Sequence, residues 1–374
     1  MLAVATVAGA QGPVDTTAQI GQLAALDYPV RMNAARALRR VPAAEAVPAL
    51  TEAIRKHPDQ FIRYRALVVL TSFNDRGTGE LIRSLLTDKN DRLREVGYKW
   101  LEQHPDPAMR FPLLSALQTE QAEFVRPALV GALAALGDDP EVRRALIGEV
   151  TRGLDFFRSA VIDSLGHHRA AYAVEAIGGV ALNDGPLQSD AVLALGRIGG
   201  DAAKAALAAV PPAPADVRLA IRAAQCLAGG DLAGGTCDGH LKALIEAATA
   251  STASPATVRA AVSAVSAMAV DGRTAPLSAL SGLASRPAGI RNAAAAALAA
   301  AAVRRPEPAI AWLRGLPDAE RAAAITMLKD GFASLDEDFA EEQFFAAVRA
   351  SYWSAAENSP ARALSVTLIQ ELEF

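Results

Sequence analysis

Apolar residues along this chain recur every four positions, and the stripes they make recur every thirty or so. In Asp59–Phe73, DQFIRYRALVVLTSF, the residues Ile62, Ala66 and Leu70 lie one above another on a helix, with Arg63 beside the first of them. Taking Arg63 as the mark, equivalent residues stand at Arg31, Arg94, Arg126, Arg158, Gln188, Arg218, Arg259, Arg291, Arg321 and Arg362. The intervals run from 30 to 32 residues, with two strides of 41. One position before the mark the chain is apolar in every copy but Glu320 and Ala361, where the apolar character fails or weakens. Three positions after it stand mostly small residues such as Ala34, Ala66, Gly97, Ala191 and Ala294, and seven after it mostly leucines, with Gln225 and Ser266 as exceptions. A small residue midway along each stripe lets a neighbouring helix come close. Periodicity of this length predicts a stack of helical units.

Each predicted helix has a start signal. Asp27, Asp59, Asn90, Asp155, Ser254 and Asn358 precede the stripes, and Pro29, Pro255 and Pro360 fall in first turns. A side-chain oxygen there accepts from unpaired backbone N–H groups, and proline has no N–H to waste. A second apolar segment follows each first helix after a short turn, as in AEAVPALTEAI, GELIRSLL, EVRRALIGEV and EPAIAWLRGL. The unit is therefore helix, turn, helix, turn.

With these registers in place, the unit resembles HEAT repeats, in particular the short bacterial, PBS-lyase-like kind with a VR..A…L first helix and a PAL-type second helix. The resemblance covers roughly residues 27–372. It implies an all-α fold, a right-handed α-α superhelix of about ten helical hairpins. It also implies that the repeated arginines Arg31, Arg63, Arg94, Arg126, Arg158, Arg218, Arg259 and Arg291 are structural, forming a ladder along the stack. In such arrays the second helices line the concave side.

The organisation along the chain follows. Residues 1–10 read as the remnant of a signal peptide, with Ala8-Gly9-Ala10 before Gln11 as a small-x-small cleavage pattern but no basic n-region. This points to a periplasmic or secreted protein; the alternative is an apolar start on a cytoplasmic one. Residues 11–26 are expected to hold a capping helix in which Ile20, Leu23 and Leu26 cover the first full unit. The array occupies 27–357, becomes alanine-rich from about 185 and carries a glycine-rich insertion at 229–239. It is read as continuous, with a soft point near Pro211–Pro214, thinner interfaces in its alanine-rich half, and a capping helix at 358–374. Phe61, Phe73, Trp100, Phe111, Phe124, Phe156 and Phe157 are the expected bulky core of the first five repeats.

Charge narrows the partners. Residues 1–170 hold 21 basic and 20 acidic side chains, and 171–374 hold 16 and 21. Neither part is the basic footprint that a phosphate backbone requires, so no nucleic acid is expected. No window beyond the first residues approaches the ~18 strongly apolar residues of a membrane span.

Candidate chemistry is sparse. His167-His168 sits in GHHR, expected to be a solvated turn, since no sequence neighbour supplies further ligands at metal spacing. No metal or cofactor is therefore expected, and no catalytic residue is nominated. Cys226 and Cys237, the only two cysteines, flank the glycine insertion and pair as a disulfide if the protein is exported. GGDLAGG lacks the strand–loop–helix setting and the lysine of a phosphate loop. The acidic group Asp336, Glu337, Asp338, Glu341 and Glu342 reads as a helix start with a solvated face, and Tyr352 and Trp353 as packing residues. Arg83, Arg110 and Arg144, with Glu52 and Glu149, fall on second helices and make a mixed-charge groove for a protein or peptide partner. The sequence thus favours a non-catalytic scaffold for protein–protein interaction that uses a concave face. The alternatives are an accessory subunit of an enzyme, of the bilin-lyase-like HEAT type, and a spacer between larger components.

Overall fold

The computed structural model describes residues 14–183, 185–211, 214–229, 236–269, 273–334 and 338–374. The proposed signal remnant at 1–10, the centre of the glycine insertion, Pro212 and Ala213, and Asp336 and Glu337 lie outside the described residues. Among the described residues the fold is all-α, with 22 α-helices and two short 3-10 turns. The chain forms two compact units, residues 1–96 and 97–374.

The first unit holds α1 (Thr16–Gln22), α2 (Tyr28–Arg40), α3 (Ala43–Lys56), α4 (Gln60–Thr71) and α5 (Thr78–Leu85). The division falls within α6 (Asp91–Gln103). The second unit continues with α7 (Arg110–Thr119), α8 (Arg126–Ala134), α9 (Pro140–Glu149), α10 (Asp155–His167) and α11 (Val174–Ala181). Then come α12 (Gln188–Ile198), α13 (Gly200–Ala208), α14 (Ala215–Leu227), α15 (Cys237–Thr249), α16 (Pro255–Ala267) and α17 (Ala275–Ser281). The last are α18 (Ala288–Arg304), α19 (Pro306–Gly315), α20 (Asp318–Phe332), α21 (Asp338–Ser354) and α22 (Pro360–Glu371). Every even-numbered helix from α2 to α22 carries one of the mark residues, so the period read from the sequence is the period of the fold.

Helix starts follow the capping chemistry with two corrections. Asp59 accepts from the N–H groups of Phe61 and Ile62 at 2.7 and 3.3 Å, Asn90 from Arg92 at 3.1 Å, and Ser254 from Thr257 at 3.1 Å. Each such bond satisfies a donor the helix leaves unpaired. Asp155, by contrast, is already inside α10 and accepts from the Arg158 side chain at 3.0 Å, while Leu154 precedes the helix without a side-chain cap. Asn358 takes a left-handed conformation, φ 58°, and it is Ser359 that caps α22. Asparagine tolerates that region better than most residues.

The stripes form the core. Ala34, Ala66, Val161, Ala191, Leu165 and Leu298 are fully buried, as are most of their equivalents. Leu364, Leu368, Leu372 and Phe374 close the carboxyl end of the second unit, where Phe374 meets Phe344 and Phe345 at ring separations of 6.1 and 5.5 Å. At the amino end Ile20 and Leu23 are buried, but Leu26 is fully exposed beyond the last turn of α1.

One expectation about packing is overturned. Of the seven aromatics assigned to the core, Phe157 is buried, whereas Phe61, Phe111, Phe124 and Phe156 are exposed. Phe61 and Phe156 sit one residue before the buried stripe, which is about 100° around the helix and away from the seam. In the alanine-rich half the first helices approach one another closely. A Cβ placed on Gly331 of α20 would press into the Ala295 carbonyl and the Ala299 side chain of α18. Small residues there bring the helix backbones closer together, and the apolar cluster continues unbroken from Leu219 to Phe374.

Candidate functional site on the inner face of the second unit

The close approaches of first helices define a side. A Cβ on Gly166 of α10 would lie 2.8 Å from the Ala194 Cα of α12, and one on Gly196 of α12 would lie 2.5 Å from the Ala224 Cα of α14. Both glycines occur eight residues after their mark, near the carboxyl ends of their helices. Those ends therefore converge, and the convergence is tight enough for side chains to reach across several units. Asp163 of α10 accepts from Arg197 Nη1 of α12 at 2.5 Å and from Arg304 Nη2 of α18 at 3.0 Å. The second bond spans 141 residues and passes over α12, α14 and α16. The short, inner side of this unit is thus lined by first helices, not by the second helices that the resemblance implied.

A cavity of about 200 Å³ lies there, bounded among others by Asp163, His167, Asp190, Arg197, Arg304 and Arg305. Burial alone would raise the Asp163 carboxyl, but the charges of Arg304 and Arg197 and their hydrogen bonds overcome it and hold the group down at about 2. Asp190 is pushed the other way by burial and by the like charge of Asp163, against a 2.7 Å hydrogen bond from Ser159 Oγ. His167, the last residue of α10, is lowered to about 4 by burial, by neighbouring His168 and by Arg304. The histidine pair is accordingly no solvated turn. His168 Nε2 lies 3.1 Å from Glu102 Oε1 on α6, two repeats earlier, and the two imidazoles meet edge to face at 5.1 Å.

The mark arginines close turns one at a time. Arg63 Nε donates to the Ile54 carbonyl at 2.6 Å, Arg158 Nε to Val150 at 3.0 Å, and Arg321 Nε to Leu313 at 2.9 Å. Arg31 and Arg94 reach the carbonyls of Ala25 and Asp88, each at 2.8 Å. All five acceptors lie at or just past the end of the preceding helix, where carbonyls lack intrahelical donors. Arg63 adds an ion pair with Asp88, Arg291 one with Asp330, and Arg126 lies over the Phe157 ring at 4.1 Å. Arg218 is also engaged, while Arg259 stands exposed at the rim of an apolar hollow between α16 and α18. The repeated arginines thus hold the turn before them, and Arg63, Arg126 and Arg291 also reach partners in the turn or helix that follows.

The residues of the proposed mixed-charge groove fall in both units, Glu52 and Arg83 in the first and Arg110, Arg144 and Glu149 in the second. Glu52 pairs with Lys56 on its own helix at 2.8 Å, and Arg83 is exposed on α5 with a partner of its own. Arg110 donates to Asp139 at 2.6 Å and covers the Phe111 ring at 3.9 Å. Arg144 is exposed on α9, but Glu149 is buried between Arg126 and Arg152. Second helices carry these charges, and in the second unit those helices are not the inner ones.

Cys226 and Cys237 form a disulfide, with Cα atoms 4.8 Å apart, and Arg273 Nη1 donates to the Cys226 carbonyl at 3.0 Å. Exposed apolar side chains gather at another edge. Phe124, Leu154, Phe156 and Leu182 all stand where a second helix turns into the next first helix, in consecutive repeats, and Phe156 is 64% exposed. Trp353, expected to pack, is 71% exposed on α21, and the Arg362 guanidinium lies over the Tyr352 ring at 4.4 Å and 6.0 Å from the Trp353 ring.

Comparison with known proteins adds the following. A family model for HEAT repeats matches residues 17–99. No curated protein matches the chain. Among solved structures, human deoxyhypusine hydroxylase in complex with glycerol is similar at 22% identity and a TM-score of 0.29, over 67% of this chain and 94% of that one. UNC-45 from Drosophila melanogaster is similar at 13% identity and a TM-score of 0.30, over 95% of this chain and 62% of that one.

Proposed function

We propose that the chain, an all-α array whose residues 17–99 match HEAT repeats, is a non-catalytic scaffold that holds another protein, and that the partner docks along the apolar edge formed by Phe124, Leu154, Phe156 and Leu182. That edge carries the reading. Phe124 and Phe156 stand two residues before the marks of their units, and Leu154 and Leu182 lie in the turns just ahead of theirs, so three successive units expose large apolar side chains. Exposed apolar surface of this kind marks interaction sites. Aromatic residues among them supply anchors that lose most when truncated. The partner is expected to offer a complementary apolar segment. At the inner face the titratable groups are occupied with one another, Asp163 by two arginines and Asp190 by Ser159, which favours structure over turnover there. An oxidising compartment, periplasmic or extracellular, is the companion proposal, supported by the Cys226–Cys237 disulfide.

The test is affinity capture with the wild-type chain and with a Phe124→Ser/Phe156→Ser variant. The variant should keep its helical content and lose a defined set of partners. Recovery of the same partners by both proteins would remove the edge from the proposal. Mass spectrometry of the mature amino terminus checks the compartment: a start near Gln11 supports export, and an intact Met1 argues against it.

A further inference from the structure

We propose that Glu102, His167 and His168 bind a divalent transition-metal ion of the zinc type, and that the ion ties α6 to α10 across α8. The three side chains come from two helices separated by a whole repeat, yet one ligand atom from each lies within 4.8 Å of the others. Two imidazoles and a carboxylate are a donor set that zinc accepts, with a fourth position left for water. Bonds of about 2.0–2.2 Å to a tetrahedral ion place ligand atoms about 3.4 Å apart. The His168 Nε2 to Glu102 Oε1 separation of 3.1 Å is near that already, and small side-chain rotations bring His167 in.

Gly131 of α8 is a second, independent observation. A Cβ on it would collide with the Glu102 carboxylate, 2.7 Å from Cδ and closer to Oε2. The glycine thus opens the lane by which Glu102 passes α8 to meet the histidines. Nearby charge permits a cation. Arg304 and Arg305 both act on His167, but Arg304 is taken up by Asp163, and the Glu102 carboxylate offsets Arg305. His168 and Glu102 keep 21% and 30% of their side-chain surface, so an ion has a way in.

The experiment uses tag-free, chelator-stripped full-length chain, titrated with Zn²⁺ by calorimetry and with Co²⁺ by visible absorption. One equivalent should bind, Co²⁺ should give the intense d–d bands of a four-coordinate site, and Zn²⁺ should raise the melting temperature. Glu102→Gln, His168→Asn and His167→Asn should each weaken binding by roughly tenfold or more. Gly131→Ala should weaken it while leaving every ligand in place, and circular dichroism of all variants controls for folding. Failure of the wild-type chain to bind one equivalent overturns the proposal, as does unchanged affinity in a folded His167→Asn/His168→Asn variant.

Discussion

Replacing Asp163 with asparagine removes a charge while keeping the side chain's shape, and it tests whether the crossing from α10 to α18 is held electrostatically. The carboxyl's ordinary value is 3.8, and here it sits at about 2. That gap corresponds to about 2.5 kcal/mol of preference for the charged form. Since 41% of the Asp163 side chain is still exposed, water screens part of this, and about 1 kcal/mol is the expected loss at neutral pH. The sign follows from linkage. A carboxylate whose value is depressed by folding contributes its stability above its unfolded value and loses it as pH falls through its folded one. The difference between wild type and Asp163→Asn should therefore be constant from pH 7 to about 5 and close between about pH 4 and 2. Urea titrations followed by circular dichroism give the difference, and hydrogen exchange localises it. Amides of α10, α12 and α18 should lose protection together, and those of α20 and α22 much less. Equal stability of the two proteins at pH 7 would refute the reasoning. A difference that survives unchanged to pH 2.5 would trace the effect to packing instead of charge.

Gly196→Ala should destabilise the chain although alanine is the better helix former by about 1 kcal/mol, because its Cβ would lie 2.5 Å from Ala224 Cα and overpacking costs about 1–3 kcal/mol. Gly179→Ala, which meets nothing within 4 Å, should stabilise it, and parallel thermal melts read both. Reducing the Cys226–Cys237 bond, which closes a separation of 11 residues, should cost about 2–3 kcal/mol in the chain-entropy account, and a Cys226→Ser/Cys237→Ser variant should match the reduced protein and ignore reductant. Asp59→Ala should lose about 1 kcal/mol by urea titration as α4 loses its cap.

The helices were legible because their signal is local. Stripe spacing, cap and proline position lie within a dozen residues of one another, and α2 to α22 appear where those signals predict. Which side of the array is inner was not legible, since it depends on the angle between successive units, which is set by close contacts such as Gly196 against Ala224. The small residues eight places after the mark, Gly166 and Gly196, were the available hint that first helices approach one another. Glu102 and His168 meet across 66 residues, and Asp163 and Arg304 across 141, separations at which no spacing rule operates. The exposed phenylalanines show the opposite limit. Phe156 and Phe157 are neighbours of the same type, and one residue of helical rotation decides that the second packs and the first does not.

The bond between Asp163 and Arg304 alters how this part of the chain should come apart. A pile in which every layer touches only the next one melts from its ends inward, because losing an outer layer costs nothing further along. A clasp joining layers five and nine makes the intervening ones interdependent. Pulled from both ends in a force experiment, the stretch between residues 155 and 304 should let go in a single rip, and without the clasp it should peel away in small steps.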